Sequence, residues 1–200
     1  MPDHYFSATP ASEHKPASFE VSYRGQTLRF ETDSGVFSRL ELDRGTEVLL
    51  NALPQTVAGE VLDMGCGYGA LGVSLAKANP GCSLTMVDVN ERAVALAAQN
   101  ARGNGVQAHT LLSDGFTALD GRQYDLIATN PPIRAGKAVI YRMFADGAKA
   151  LRQGGAMVLV IRKQQGAPSA KTYLQTLFER VETIDRSSGF WVLWCENPKS

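Results

Sequence analysis

Asn130, Pro131, Pro132 and Ile133 form the segment whose residue types most directly indicate chemistry. They follow an apolar run at 124–129 that predicts a buried strand. Two consecutive prolines have fixed φ and donate no backbone hydrogen bond, so the loop is stiff and its carbonyls stay available. The Asn130 side-chain oxygen and the Pro131 carbonyl are therefore suited to accept both hydrogens of an exocyclic amine and to aim its nitrogen at an electrophilic methyl group.

A glycine-dense turn follows another apolar run, which ends in Asp63. Gly65, Gly67 and Gly69 allow positive φ and bring bare backbone N–H groups close to a ligand at the carboxyl end of a strand. The helix predicted from Ala70 onward would favour an anionic or hydroxyl-rich guest at its N-terminus. The same residues satisfy the dinucleotide pattern G-x-G-x-x-G/A, so the turn by itself leaves a dehydrogenase and a methyltransferase both open.

Two further acids follow predicted strands. Asp88 lies roughly 20 residues after the glycine turn, where an acid accepts hydrogen bonds from ribose hydroxyls. Both NAD and S-adenosylmethionine carry such a ribose, so Asp88 indicates a nucleoside cofactor without choosing between them. Asp114 could accept from an adenine amino group, although Asp114-Gly115 is equally typical of an ordinary polar turn.

These residues need a sheet that brings the carboxyl ends of its strands to one edge. After Gly59 the chain alternates strand and helix patterns, which favours a parallel sheet covered on both faces. Strands are predicted at 60–63, 83–87, 107–112, 124–129 and 156–161, and helices at 70–78, 91–103, 137–152 and 168–179. The apolar runs near 180–185 and 189–195 are joined by a turn too short for a parallel crossover, so they predict an antiparallel hairpin at one edge.

The N-terminal part predicts a separate small unit. Alternating residues at 19–23 and 27–31 flank an Arg-Gly-Gln turn and predict a β-hairpin. Asp43 or Thr46 is expected to cap a short helix that Pro54 stops. The domain prediction is a flexible lead-in at 1–16 and a single domain at 17–200, divided into a hairpin and lid at 17–58 and a Rossmann-like core at 59–200.

Composition limits the class of protein. The 200 residues include 20 basic and 20 acidic side chains, so the net charge does not indicate a nucleic-acid substrate. Any basic surface must be local. Cys66, Cys82 and Cys195 are widely spaced and predict free thiols in a reducing compartment, with no metal site. Neither a signal peptide nor a membrane-spanning apolar run is present in the sequence, so a cytoplasmic location is expected.

Taken together and in this order, the motifs resemble those of the class I S-adenosylmethionine-dependent methyltransferases. The closer resemblance is to the small-subunit ribosomal RNA guanine-N2 methyltransferase family, in its single-domain branch. It is carried by Ser34-Gly-Val-Phe-Ser38, Asp43-x-Gly45-Thr46, Asp63-Met-Gly-Cys-Gly-Tyr-Gly, Asp88, Asp114 and Asn130-Pro-Pro-Ile-Arg-Ala-Gly-Lys137.

The resemblance implies an α/β fold with a Rossmann-like, doubly wound, seven-stranded sheet and an antiparallel C-terminal hairpin. It implies methyl transfer from S-adenosylmethionine to guanine N2, leaving S-adenosylhomocysteine. Asp63, Gly65 and Gly67 would face the methionine part of the cofactor, Asp88 the ribose and Asp114 the adenine, Phe37 would close over the site, and Asn130 would hold the amine. Ile133 departs from the family pattern, because related amine methyltransferases often place Tyr or Phe there to stack the base.

The implied partner is ribosomal RNA or the small ribosomal subunit. Candidate phosphate contacts near the predicted rim are Arg39, Arg44, Arg134, Lys137, Arg162 and Lys163. Asn-Pro-Pro loops also serve methylation of adenine N6 in DNA and of protein glutamine, so these acceptors stay open. A non-catalytic RNA-binding protein that retains the fold is the remaining alternative.

Overall fold

The computed structural model describes residues 13–199, which contain a two-stranded hairpin and a seven-stranded sheet. The hairpin pairs β1 (Ala17–Tyr23) with β2 (Gln26–Thr32). The large sheet consists of β3 (Gly59–Met64), β4 (Cys82–Asp88), β5 (Ala108–Leu112), β6 (Tyr124–Thr129), β7 (Leu151–Arg162), β8 (Phe178–Ser187) and β9 (Phe190–Pro198). Its spatial order is β5-β4-β3-β6-β7-β9-β8.

Strands β3 to β7 are parallel, and β9 runs antiparallel between β7 and β8. The strand order reverses between β3 and β6, which is the switch point where open α/β sheets bind ligands. This is the predicted Rossmann-like fold, and the antiparallel C-terminal hairpin is confirmed.

Five α-helices accompany these strands within residues 13–199. They are α1 (Arg44–Ala52), α2 (Ala70–Ala78), α3 (Glu91–Gly103), α4 (Lys137–Lys149) and α5 (Ala167–Leu177). The buried apolar residues form two clusters. One joins the N-terminal hairpin to α1, α2 and α3, and the other packs α4 and α5 against the opposite face of the sheet. Sheet faces covered on both sides explain the nearly continuous apolar runs of the central strands.

Two predicted helices ran too far along the chain. The helix predicted at 137–152 ends at Lys149, because Leu151 already pairs with Tyr124 as the first residue of β7. The helix predicted at 168–179 ends at Leu177, and Phe178 begins β8. In both places an apolar residue near the end of a helical pattern is buried in the sheet instead, because it pairs with a neighbouring strand.

The N-terminal hairpin packs on the glycine turn and on α3. The rings of Phe19 and Phe30 lie 5.9 and 5.8 Å from the ring of Tyr68, which belongs to the glycine turn. The Asn100 amide on α3 accepts from Glu31 N (2.8 Å) and donates to Glu31 O (2.9 Å), so this side chain pairs with β2 as a neighbouring strand would. The hairpin is therefore attached to the core by both apolar packing and hydrogen bonds.

Most of the predicted lead-in, residues 1–12, lies outside the described residues. Next to them, Lys15 N donates to Asp33 Oδ1 (2.6 Å), and Arg39 Nε donates to Lys15 O (2.9 Å). His14 Nδ1 also contacts the Asp33 carboxylate. Residues 14 and 15 thus run against the loop that follows β2. Between residues 13 and 199 no helix is both long enough and apolar enough to cross a membrane.

Candidate active site

The glycine turn leaves β3 and is closed by backbone hydrogen bonds. The amides of Gly65 and Cys66 both donate to Val87 O at 2.9 Å, which joins the turn to the end of β4. Gly65 and Gly67 have φ of 72° and 54°. A Cβ at either position would meet no atom within 4 Å, so these glycines leave open space above the turn. The left-handed conformation favours glycine at both positions.

Asp63 lies beneath this turn and is 1% exposed. Its Oδ2 accepts from Gly72 N at 2.8 Å, so β3 is fixed to the first turn of α2. Burial raises the Asp63 pKa from 3.8 to about 7, against the lowering effect of the Gly72 N–H, and the nearby charge of Asp88 adds to the rise. The residue is thus a buried carboxyl group whose charged form is poorly solvated.

Asp88 ends β4 and accepts two backbone hydrogen bonds. Its Oδ2 accepts from Gly67 N (2.8 Å), and its Oδ1 accepts from Asn90 N (2.9 Å). Burial raises the Asp88 pKa, although these N–H groups act in the opposite direction. Each carboxylate oxygen has a second lone pair, so Asp88 keeps the capacity to accept from a vicinal diol.

A cavity of about 430 Å³ opens above the carboxyl ends of β3, β4, β5 and β6. Nine of the ten residues predicted to form the site line it, namely Phe37, Asp63, Gly65, Gly67, Asp88, Asp114, Asn130, Pro131 and Pro132. The volume falls in the range of small-molecule and cofactor sites. The sequence therefore located the cavity, although lining it does not by itself establish the role of any residue.

Asn130 directly follows β6 and is held in one orientation. Its Nδ2 donates to Asp43 Oδ2 (2.8 Å) and to Thr46 Oγ1 (3.0 Å), both at the start of α1. Among residues 13–199 no hydrogen bond reaches Asn130 Oδ1 or the Pro131 carbonyl. The loop therefore presents two acceptor oxygens that have no protein donor. A pair of this kind can accept both hydrogens of an NH2 group.

Asp114 and Phe37 line the cavity from two other loops, the one after β5 and the one between β2 and α1. Asp114 Oδ1 is 2.7 Å from Arg142 Nη2, in an ion pair whose two side chains are both more than half exposed. Phe37 is 39% exposed. The loop that carries it is joined to the start of α3, where Asn90 Nδ2 donates to Gly35 O (2.9 Å) and Arg92 Nη1 donates to Ser34 O (2.7 Å).

Ile133 is the predicted site residue that does not line the cavity. It begins a 3-10 turn at Ile133–Ala135 and packs against the apolar cluster beneath α4. An aliphatic side chain gains more from that cluster than from an open base-binding face, because its removal from water is its main contribution. Val36, Phe37, Val139 and Met143 are among the apolar residues that do line the cavity.

Sequence reasoning did not assign Asp43, Thr46, Tyr68 or Arg142 to the site, although all four line the cavity. Asp43 was expected only as a helix cap, and it does accept from Thr46 N at 3.0 Å. The spacing Asp-x-Gly-Thr was the available signal, but the sequence could not show that α1 begins beside Asn130. Burial raises the Tyr68 pKa, and the Asp43 charge adds to this rise.

The basic candidates are distributed unevenly around the cavity. Arg44 Nη2 donates to Ser188 Oγ (2.8 Å), which brings the start of α1 to the β8–β9 turn. Arg162 ends β7 opposite Phe190, with its guanidinium 4.9 Å from that ring, and Lys163 N donates to Gly189 O (2.9 Å). Exposed Arg134 and Lys137 follow the Asn130 loop. Arg39 differs, because its Nε donates to Lys15 O and it is only partly exposed, whereas the other five are exposed. None of the six candidates is among the residues that line the cavity.

Comparison with known proteins places this geometry in a family. The family model for the "Methyltransferase small domain" matches residues 27–194, which run from β2 into β9. The chain belongs to this methyltransferase family. The methyltransferase is also 39% identical to the Bacillus subtilis "Uncharacterized protein YbxB", over 96% of this chain and 98% of that protein.

Other relatives of the methyltransferase carry a more specific name. The "Ribosomal RNA small subunit methyltransferase C" of Hahella chejuensis is 36% identical over 79% of this chain and 49% of its own length. The solved structure of the "T. Thermophilus 16S rRNA N2 G1207 methyltransferase (RsmC) in complex with AdoMet and Guanosine" matches with a TM-score of 0.83 and 29% identity, over 94% of this chain and 52% of that chain. The chain spans about half the length of these two relatives.

Proposed function

We propose that this methyltransferase transfers a methyl group from S-adenosylmethionine to the exocyclic N2 of a guanine in ribosomal RNA of the small subunit. The observation that carries the proposal is the pair of acceptor oxygens, Asn130 Oδ1 and the Pro131 carbonyl, in the cavity that the glycine turn also lines. Support for the acceptor comes from the Thermus relative, whose structure holds AdoMet and guanosine. The 16S-type target is taken from the name of that same relative.

The residues around the glycine turn fit S-adenosylmethionine. Gly65 and Gly67 leave open space where any side chain would project, as a cofactor lying across the turn requires. Asp63 and Asp88 offer carboxylate acceptors for an ammonium group and for ribose hydroxyls, and Asp114, which lines the same cavity, is proposed to accept from an adenine amino group. When bound, the cofactor supplies a sulfonium-activated methyl group that a nucleophilic nitrogen can take.

The protein's own contribution at the acceptor is positioning and electrostatic. An exocyclic amine is a poor nucleophile because its lone pair is delocalised into the ring. Asn130 Oδ1 and the Pro131 carbonyl, by accepting its two hydrogens, favour a pyramidal nitrogen that points into the cavity and stabilise the positive charge that develops there. No strong base is needed at the attack step, and the proton on the methylated nitrogen can leave afterwards.

The exposed basic side chains are proposed to contact RNA phosphates. Arg44, Arg162 and Lys163 lie around the β8–β9 turn, and exposed Arg134 and Lys137 follow the Asn130 loop along the chain. The structure adds Arg186, whose guanidinium is 4.7 Å from the Trp191 ring near the same turn. A guanine within a duplex would have to be flipped or already exposed to reach Asn130 between these groups. Arg39 is the weakest of the candidates because its Nε already donates to the backbone carbonyl of Lys15.

The acceptor is tested by offering three classes of substrate separately. Purified protein is incubated with labelled S-adenosylmethionine and either small ribosomal subunits from cells that lack this gene, unmethylated DNA, or release factor. We expect label in the RNA of the subunits alone, and Asn130→Ala should abolish transfer while it leaves cofactor binding within about twofold. Label found only in DNA or only in protein would refute the RNA proposal and favour adenine N6 or glutamine. A wild-type protein inert toward all three would favour a non-catalytic RNA-binding role.

A further inference from the structure

The Asp43-x-Gly45-Thr46 motif at the start of α1 lies against the Asn130 side chain. Asn130 Nδ2 has two hydrogens, and both are taken, one by Asp43 Oδ2 and one by Thr46 Oγ1. The carboxylate can only accept, so the amide nitrogen must be the atom that faces it. The reverse orientation would set Asn130 Oδ1 about 2.8 Å from a carboxylate oxygen, with no hydrogen between them.

The glycine of the motif allows these groups to meet. A Cβ at Gly45 would lie 2.9 Å from Asp43 Oδ2, 3.0 Å from the Phe190 ring and 3.4 Å from Asn130 Nδ2. Gly45 and Thr46 are both buried, and Asp43 lies at the cavity wall. The same Asp43 oxygen also accepts from Thr46 N, so the cap of α1 and the orientation of the amide depend on one carboxylate. These hydrogen bonds hold α1 against the Asn130 loop, although Asp43 and Asn130 are 87 residues apart in the sequence.

We propose that Asp43 and Thr46 are positioning residues that fix the Asn130 amide with its oxygen toward the substrate, and so restrict the acceptor to groups that bring N–H donors. This inference rests on the proposed function and adds the reason for its selectivity. With the nitrogen side occupied, only Oδ1 faces the cavity. A primary amine or carboxamide NH2 supplies the matching hydrogens, whereas a bare ring nitrogen would set a lone pair against a lone pair.

Asp43→Ser separates positioning from helix capping. Serine caps a helix about as well as aspartate, but its hydroxyl is one atom shorter and does not reach Asn130 Nδ2. We expect kcat to fall by about tenfold or more, because the amide is no longer held, while the Kd for S-adenosylmethionine stays within about twofold. Asp43→Asn keeps an oxygen acceptor on a side chain of the same length and should restore most of the rate.

A matched pair and a charge control accompany these variants. Thr46→Val removes the acceptor hydroxyl at nearly constant shape and should slow transfer by about threefold to tenfold, whereas Thr46→Ser keeps the hydroxyl and most of the rate. Glu41→Gln removes an exposed negative charge two residues before Asp43 without touching Asn130 and should leave the rate unchanged. If Asp43→Ser fails to fold, as judged by circular dichroism, the Thr46 pair decides the question on folded protein.

A readout independent of activity is the Asn130 side-chain amide in a ¹⁵N-correlated NMR spectrum, assigned by its loss in Asn130→Ala. In the wild type its two hydrogens should be distinct and slow to exchange with water, and in Asp43→Ser they should exchange faster. A wild-type rate in Asp43→Ser, or unchanged amide signals, would overturn the inference. If the wild type methylates no RNA, the proposed function fails, and the amide signals alone decide whether Asp43 holds Asn130.

Discussion

Asp63 is a buried carboxyl group whose ionisation makes the stability of the protein depend on pH. The residue has one backbone hydrogen bond, from Gly72, and almost no contact with water. Its charged form is therefore poorly solvated, which is the main reason that its pKa rises from 3.8 to about 7. Between these two pH values the folded protein holds a proton at Asp63 that the unfolded chain has released. The free energy of unfolding consequently falls as the pH rises through this window.

We predict that Asp63→Asn stabilises the cofactor-free protein more at pH 8 than at pH 5. Above pH 7 the wild type bears the full cost of a buried carboxylate, whereas asparagine is neutral and its oxygen can still accept from Gly72 N. Urea unfolding of both proteins at the two pH values measures the difference. An equal difference in unfolding free energy at pH 5 and pH 8 would show that Asp63 is already charged in the folded protein at pH 5.

Residue types alone predicted many of the residues that line the cavity, because the carboxyl ends of parallel strands meet at one edge. Asp63, Asp88, Asp114 and Asn130 lie at or just after the carboxyl ends of four different strands, and each lines the same cavity. Their partners were less accessible to sequence reasoning. Asp43 reaches Asn130 across 87 residues, a contact that depends on how the N-terminal unit docks and that no local pattern encodes.

At the scale of elements, amide side chains of α3 add hydrogen bonds to the apolar packing that holds the N-terminal hairpin to the core. Asn100 is 2% exposed, and its Nδ2 donates to Glu31 O (2.9 Å) and to Tyr68 O (2.8 Å). It therefore connects the hairpin, α3 and the glycine turn. Alternation predicted the strands of the hairpin well, since that pattern is local. Its docking could not be predicted, because an asparagine within a helical pattern usually indicates an exposed position.

We predict that Asn100→Asp destabilises the protein by roughly 2–4 kcal/mol, since a carboxylate would face the Glu31 and Tyr68 carbonyl oxygens without a hydrogen to donate. The comparable change Asn104→Asp alters a less buried amide that pairs with Arg29, and it should cost only about 1 kcal/mol. Chemical denaturation of the two variants provides the comparison. Equal losses would mean that the deeper burial of Asn100 adds nothing to its hold on the hairpin.

The two helix ends that were wrong illustrate a limit of periodic patterns. Leu151 and Phe178 continue the apolar spacing of α4 and α5, yet both are buried as the first residues of strands. Apolar residues at such boundaries satisfy either period, so the sequence does not decide between them. Pairing with Tyr124 and Pro198 decides in favour of the sheet.

For the whole molecule, charge distribution matters more than net charge, which is zero. Exposed Arg44, Arg162, Lys163 and Arg186 gather around the β8–β9 turn at the carboxyl edge of the sheet. Arg180 lies toward the opposite end of the same hairpin, where it pairs with Glu182 and Glu196. A neutral protein can thus offer RNA a locally basic rim beside its cavity.

We predict that Arg162→Ala and Lys163→Ala each weaken RNA binding and each reduce the slope of log K against log salt by about 0.7–0.9, because one phosphate contact and its released counterion are lost. Arg180→Ala, which removes the same charge at the far edge, should change neither quantity. Filter binding or fluorescence anisotropy over a range of salt concentrations measures the slopes. Equal effects of all three substitutions would show that only net charge, and not this rim, attracts the RNA.

The central claim is that the Asn130 and Pro131 oxygens present a guanine amino group for methylation, and nucleoside mass spectrometry tests it most directly. Small-subunit RNA from cells that lack this gene is incubated with the purified protein and S-adenosylmethionine, then digested to nucleosides. We predict N2-methylguanosine in the wild-type reaction and none with Asn130→Ala. A methyl group on a ring nitrogen, on a ribose hydroxyl or on adenine, or N2-methylguanosine formed equally well by Asn130→Ala, would contradict it.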